Sequence, residues 1–131
     1  MRHPQATTEM TEIVFPEHAN HYGTLFGGNA LQMLAKAAFV AARQCAQANV
    51  VMAAVSGVEF LAPVPQGSVL HLRAWVSRMG RSSLTVCVHG VISRPALAEE
   101  LALKGVFEMV AVDGKGRPQP MATRYINQET T

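Results

Sequence analysis

Charge is scarce in this chain. Asp, Glu, Lys and Arg make up 15% of its 131 residues, and the formal net charge is only +2. Lys and Arg form no run, so the chain lacks the electrostatic footprint of a nucleic-acid binder. A single phosphorylated ligand would suffice to use the excess. Cysteine is nearly absent as well. Cys45 and Cys87 match no metal spacing and no CxxC motif, which excludes a disulfide framework or a cysteine metal centre and leaves two small apolar residues in reduced form. No apolar stretch reaches the ~20 uninterrupted residues of a membrane span. The opening Met1-Arg-His-Pro-Gln5 has no apolar segment of the signal-peptide kind, so the expected location is cytoplasmic.

What is present is apolar. Hydrophobic residues make up 49% of the chain, enough for one core and one domain over residues 1–131, with irregular tails at 1–7 and 119–131. So little charge on a small domain also implies that a partner subunit covers part of the surface.

The periodicity gives the order of elements. Thr8 to Phe15 reads as a strand stopped by Pro16. A loop from Glu17 to Gly28 follows, and then a helix from Asn29 to about Gln47, begun by Asn29 or by the Gly27-Gly28 pair. Asn29, Gln32, Lys36 and Arg43 fall on one narrow stripe at 100° per residue, and the rest of the helix is apolar. Such a helix is wrapped by other structure. Only strand signals come after it: Val50 to Phe60, Ser68 to Met79, Leu84 to Ile92 and Ala102 to Val112. Gly80 to Ser83 and Asp113 to Pro118 read as turns, and Arg94 to Glu100 as a connection. One strand, one buried helix and four strands make an α+β domain in which an antiparallel sheet curves around a central helix. Its edges and open face need cover, which implies at least a dimer.

The segment His18-Ala-Asn-His-Tyr-Gly-Thr-Leu-Phe-Gly-Gly28 places a polar, glycine-rich loop directly before the apolar helix. Backbone N–H groups at a helix start lack intrahelical partners and suit a phosphate, a carboxylate or a polarised carbonyl oxygen.

Four motifs, Asn20 to Gly28, Val58 to Val64, Gly80 to Ser83 and Val110 to Gly114, occur in order across most of the chain. Together they resemble those of the hotdog-fold acyl-CoA thioesterases, in the branch of bacterial YciA and brain acyl-CoA hydrolase. The resemblance implies a hotdog fold, active sites at a dimer interface, dimers assembled as a trimer of dimers, and hydrolysis of acyl-CoA to free acid and CoA. It implies neither a metal nor an organic cofactor.

Carried over residue by residue, the resemblance makes Gly27 and Gly28 the oxyanion site for the thioester carbonyl. It makes Asn20 a holder of the thioester or the attacking water, where the plain alternative is an Asx turn. Arg81, Ser82 and Ser83 match the loop that contacts the CoA moiety, against the alternative of an ordinary β-turn. His18 and His21 read as loop histidines, and Lys115 and Arg117 as a solvated turn. Trp75, Phe39, Phe60 and Phe107 read as core or interface residues, and Met33 as core or acyl-tunnel lining.

Two residues depart from the pattern. The family's base or nucleophile is an aspartate on the helix, seven residues after the second glycine, and that position is Ala35. A methyl cannot accept a proton. Glu17 and Glu59 are the candidate substitutes, though neither stands where the family places a base. Met52 stands where relatives carry a supporting threonine. The resemblance therefore implies a thioesterase of weak or absent activity. The alternative is a non-catalytic acyl-CoA or CoA-binding protein, whether by natural loss or by an engineered aspartate-to-alanine change. A hotdog dehydratase is disfavoured, because the helix offers no acid.

Overall fold

The computed structural model describes residues 7–121. The remainder of the two expected tails, 1–6 and 122–131, lies outside the described residues. The elements are β1 (Thr7–Ile13), a 3-10 turn (Pro16–His18), α1 (Gly27–Ala46), β2 (Asn49–Phe60), β3 (Val69–Met79), β4 (Ser83–Ser93) and β5 (Glu100–Val112). The strands form one antiparallel sheet in the order β1-β3-β4-β5-β2. Among the described residues a single α-helix lies against it, as the hotdog resemblance implies.

Boundaries moved where local chemistry overrides periodicity. Thr7 pairs with Trp75 and so belongs to β1, not to a tail. Phe15, expected in that strand, instead caps the 3-10 turn that Pro16 opens. Of the two expected starts the helix takes the Gly27-Gly28 pair, beginning at Gly27, and it ends before Gln47, whose left-handed φ of 53° closes it. Ser83 leaves the expected turn and starts β4. Residues 119–121 are irregular but tied down: the Gln119 N–H donates to the Ala111 carbonyl and the Met121 N–H to the Arg81 carbonyl.

The helix buries Ala30, Met33, Leu34, Ala37, Ala38, Ala41, Ala42 and Cys45, the i, i+3, i+4 spacing of an apolar face. Five of these are alanine, so the helix axis can approach the sheet closely. Phe107 on β5 is fully buried beneath it. A Cβ on Gly105 would stand 2.8 Å from the Phe107 ring. That glycine is the gap into which the ring packs.

β2 is the exception to burial. Only Val50 is buried along its twelve residues, and Val51, Met52, Val55 and Phe60 are exposed. It is an edge strand with two bulges: Ala53 and Ser56 have no partner in the β5 register. An exposed apolar edge of this length is a template for pairing with another chain.

Candidate active site

The loop before α1 folds back on itself. Ala19 and Leu25 form an antiparallel bridge, and the Asn20 N–H donates to the Thr24 carbonyl at 2.8 Å. The Asn20 Oδ1 accepts the N–H groups of Tyr22 (2.9 Å) and Thr24 (3.1 Å) and the Thr24 hydroxyl (3.2 Å). That is the Asx turn. It uses the oxygen of the carboxamide and leaves the amide Nδ2 as the part the loop does not employ.

The same fold-back sets the helix start. The Phe26 N–H donates to the His18 carbonyl at 2.8 Å, fixing Phe26 as N-cap. The first helical bond runs from the Ala30 N–H to the Phe26 carbonyl at 2.9 Å. The N–H groups of Gly27, Gly28 and Asn29 therefore have no acceptor within the helix, and no side chain caps them. Partial positive charge gathers at this end.

Gly27 opens onto a cleft of about 300 Å³, whose other walls include Leu25, Phe60, Leu61, Val64 and Leu103. Leu25 is held to this wall by its N–H bond to the Val64 carbonyl, 2.8 Å. A polarised N–H cluster thus meets an apolar pocket, an arrangement that suits an oxygen atom bonded to a hydrocarbon tail.

The remaining expected residues do not converge here within one chain. Ala35 lies eight residues along α1 from Gly27, about 12 Å at 1.5 Å per residue. It sits partly buried on the helix flank. Lys36 and Gln44 point towards β1, where they bond Glu12 (2.8 Å) and Thr8 (3.0 Å). Ala35 is turned about 100° from Lys36. The exposed Leu31 and Phe39 share its flank.

Arg81 and Ser82 lie at the opposite end of the helix. Cys45, near the end of α1, touches Met79 with sulfurs 3.6 Å apart, and Met79 leads into the Gly80–Ser83 turn. That is about 27 Å of helix from Gly27. The turn is closed by the Gly80 N–H bond to the Ser83 carbonyl, 2.8 Å, and Arg81 and Ser82 line a shallow 200 Å³ hollow with Pro118 and Gln119. Glu17 and Glu59 are exposed, and neither lines the Gly27 cleft. His18 is engaged by the loop: its Nδ1 accepts the Phe15 N–H at 3.1 Å. Among the described residues no His, Cys, Asp and Glu cluster is arranged to hold a metal.

The residues that motif reading passes over are Leu25, Leu61 and Leu103, which wall the cleft. Leu25 and Leu61 lie inside the Asn20–Gly28 and Val58–Val64 motifs, whereas Leu103 on β5 reaches the cleft only through its register with Phe60.

Residues 22–99 match the thioesterase superfamily profile. The chain belongs to that family. The YciA acyl-CoA thioester hydrolase of Salmonella typhimurium is 30% identical over 122 residues, 90% of this chain and 92% of that protein. An uncharacterized acyl-CoA thioester hydrolase of Bacillus subtilis is 32% identical, and the match spans 85% of this chain but 65% of that longer protein. Among solved structures, an acyl-CoA hydrolase of Staphylococcus aureus in complex with butyryl-CoA, CoA and CoA disulfide superposes with a TM-score of 0.85. It is 32% identical, with 88% of this chain and 71% of that one covered. A hexameric thioesterase from Yersinia pestis gives 0.81 at 29% identity, covering 86% and 93%. These likenesses are to proteins named as acyl-CoA thioester hydrolases.

Proposed function

We propose that the chain binds acyl-CoA at a site shared between two copies and hydrolyses it slowly to free acid and CoA. The observation that carries this reading is the free N–H cluster of Gly27 and Gly28 at the mouth of the apolar cleft. A thioester carbonyl oxygen seated there accepts N–H bonds that strengthen as it becomes an oxyanion. Water adds to the carbonyl carbon, the C–S bond breaks, and the sulfur leaves as the CoA thiol after taking up a proton. Water is the only co-reactant, with no metal or organic cofactor. The Asn20 Nδ2, unused by the loop, is the group available to orient the thioester or the water.

The missing element is a base. The S. aureus enzyme has been studied as asparagine-to-alanine, aspartate-to-alanine and threonine-to-alanine variants. In that enzyme the asparagine precedes the aspartate by fifteen residues, and the aspartate precedes the threonine by seventeen. Asn20, Ala35 and Met52 stand at the same two separations. This spacing supports reading Ala35 and Met52 as the positions of two absent polar groups. Loss of a general base costs ~10²–10⁴-fold in rate. A second reading, binding without turnover, is favoured by the same two residues.

The distances within one chain support a shared site. One chain holds Gly27, position 35 and the Arg81–Ser83 turn strung along α1. An isologous pair joined through the β2 edges sets two helices in opposite directions, so that one copy's helix start approaches the other's flank and far end. Arg81, Ser82 and Ser83 then serve the phosphate and pantetheine portions of CoA. Hexameric thioesterases among the neighbours support further assembly of such dimers into a trimer of dimers. The reading is of a cytoplasmic enzyme.

The test is a panel of acyl-CoA substrates with the chain as it stands and with Ala35→Asp. A gain of at least about tenfold is expected, toward the full worth of a general base. No gain removes position 35 as the base. Turnover of the unaltered chain at ~1–10³ s⁻¹, the ordinary enzymatic range, removes both the slow and the non-catalytic readings.

A further inference from the structure

We infer that Thr24 is a positioning residue for the hydrolysis: its hydroxyl holds and polarises the Asn20 carboxamide, so that Nδ2 is aimed at the thioester or the attacking water. The inference rests on the proposed function, in which Nδ2 serves that group.

The two ends of a carboxamide have nearly the same size and opposite polarity, and the torsion that carries them is broad. A working Nδ2 therefore needs the oxygen end pinned. The N–H groups of Tyr22 and Thr24 donate to one terminal atom of Asn20, at 2.9 and 3.1 Å, and two N–H donors on one atom identify it as the oxygen. The Thr24 hydroxyl donates to that same oxygen at 3.2 Å.

That third bond is redundant for the loop. A carbonyl oxygen has two lone pairs, and the two N–H groups already use them. They alone make the Asx turn. What the hydroxyl adds is a constraint on the torsion and a further pull of electron density towards Oδ1. The pull makes the Nδ2 hydrogens stronger donors, as bonds in a chain polarise one another.

The hydroxyl is itself held in place. The Thr24 carbonyl accepts the Asn20 N–H at 2.8 Å, and Thr24 bridges Pro65 across the fold-back. On either side, the Gly23 carbonyl accepts the Gln66 N–H at 2.9 Å and the Leu25 N–H donates to the Val64 carbonyl at 2.8 Å. The loop is thus strapped to residues 64–66. Threonine is stiff at χ1, so a fixed backbone fixes the hydroxyl.

The test is steady-state kinetics in the Ala35→Asp background, with whichever acyl-CoA of the panel that chain turns over fastest. Thr24→Val removes the hydroxyl and keeps the branched shape and the backbone N–H. It is expected to lower kcat about three- to tenfold, the scale of one ordinary hydrogen bond, with KM within twofold of the Ala35→Asp chain. Its melting temperature is expected within about 2 °C of that chain, because the turn keeps both N–H bonds. Thr24→Ser returns the hydroxyl and is expected to bring kcat back to within twofold. Three results would overturn the inference and leave the proposed function standing: an unchanged kcat in Thr24→Val, a loss carried by KM instead of kcat, or a chain that unfolds or melts more than about 4 °C lower. The last would show the hydroxyl to be a structural bond. An Ala35→Asp chain that hydrolyses no acyl-CoA of the panel would remove the inference and the proposed function together.

Discussion

The side-chain oxygen of Asn20 accepts both the backbone N–H and the hydroxyl of Thr24, at 3.1 and 3.2 Å. The loop's hold on Asn20 therefore falls on one atom of the carboxamide, and the two roles of the residue separate by substitution. Asn20→Asp keeps the acceptor and strengthens it by charge. Its melting temperature is expected within about 2 °C of the parent, given ~0.5–1.5 kcal/mol for an ordinary hydrogen bond. Asn20→Ala removes three accepted bonds and is expected to cost roughly 1–3 kcal/mol. If Nδ2 acts on the thioester or the water, both variants lose hydrolysis alike, measured in the Ala35→Asp background where turnover is readable. An Asn20→Asp chain with full activity would leave Asn20 a loop former only.

Three glycines that look alike in sequence separate by what surrounds them. A Cβ on Gly28 would stand 2.9 Å from Phe26 Cε2, but Phe26 is exposed and its ring can swing. A Cβ on Gly27 meets only ordinary contact at Phe60. Gly27→Ala and Gly28→Ala are therefore expected to fold with unchanged or slightly raised melting temperature, since alanine favours helix over glycine by up to ~1 kcal/mol. Any loss then appears in acyl-CoA binding. Gly105→Ala presses a methyl against the fully buried Phe107 and is expected to cost ~1–3 kcal/mol. Thermal melts of the three side by side decide this. A Gly105→Ala chain as stable as the parent would contradict the packing.

The elements were legible because their signals are local. An alanine-rich helix with one polar stripe, and strands alternating from Leu70 to Val76, announce themselves within a dozen residues. The order β1-β3-β4-β5-β2 was not legible, because it depends on pairings such as Thr7 with Trp75 and Val50 with Ala111, which no local pattern encodes. The bulges at Ala53 and Ser56 were hidden for the same reason. At the site, the glycine loop stood out by composition, but Ala35 is an ordinary helix alanine whose meaning came only from resemblance. Phe60 read as core or interface. Its position over Gly27 needed the turn of chain that brings the end of β2 to the start of α1.

The exposed β2 edge gives a prediction about assembly. Val55 is 44% exposed on a strand where only Val50 is buried. Charge on an open edge is a recognised block to strand pairing. Val55→Lys is expected to leave the monomer fold intact by circular dichroism and to shift the sedimenting species to the monomer. Under the proposed function the site draws on both copies, so binding of acyl-CoA should fall with it. A Val55→Lys chain that stays oligomeric would place the interface elsewhere.

On the outer face of the sheet, two groups give the stability a pH dependence in separate windows. The Glu108 carboxyl accepts hydroxyl bonds from Thr85 (2.7 Å) and Ser56 (2.8 Å). The Thr85 bond first and the Ser56 bond second hold its pKa below the usual 4.5, with Arg78 assisting, against the upward push of burial. A folded pKa lower than the unfolded one gives stability that is complete above about pH 4.5 and is lost as pH falls through the folded value. Those bonds also anchor the bulged Ser56 to β5. His89 stands in a row of side chains between Arg73 and Lys104 in the sheet register. Burial first, then the charges of Lys104 and Arg73, lower its pKa from 6.5. The neutral ring is the form the fold accepts, so stability falls as pH drops below about 6.5 and the unfolded chain takes up the proton more readily. Melting temperature against pH is therefore expected to decline first below 6.5 and again below 4.5. His89→Gln should flatten the first decline alone and Glu108→Gln the second alone. A profile in which either substitution removes both declines, or neither, would show that other groups govern the acid response.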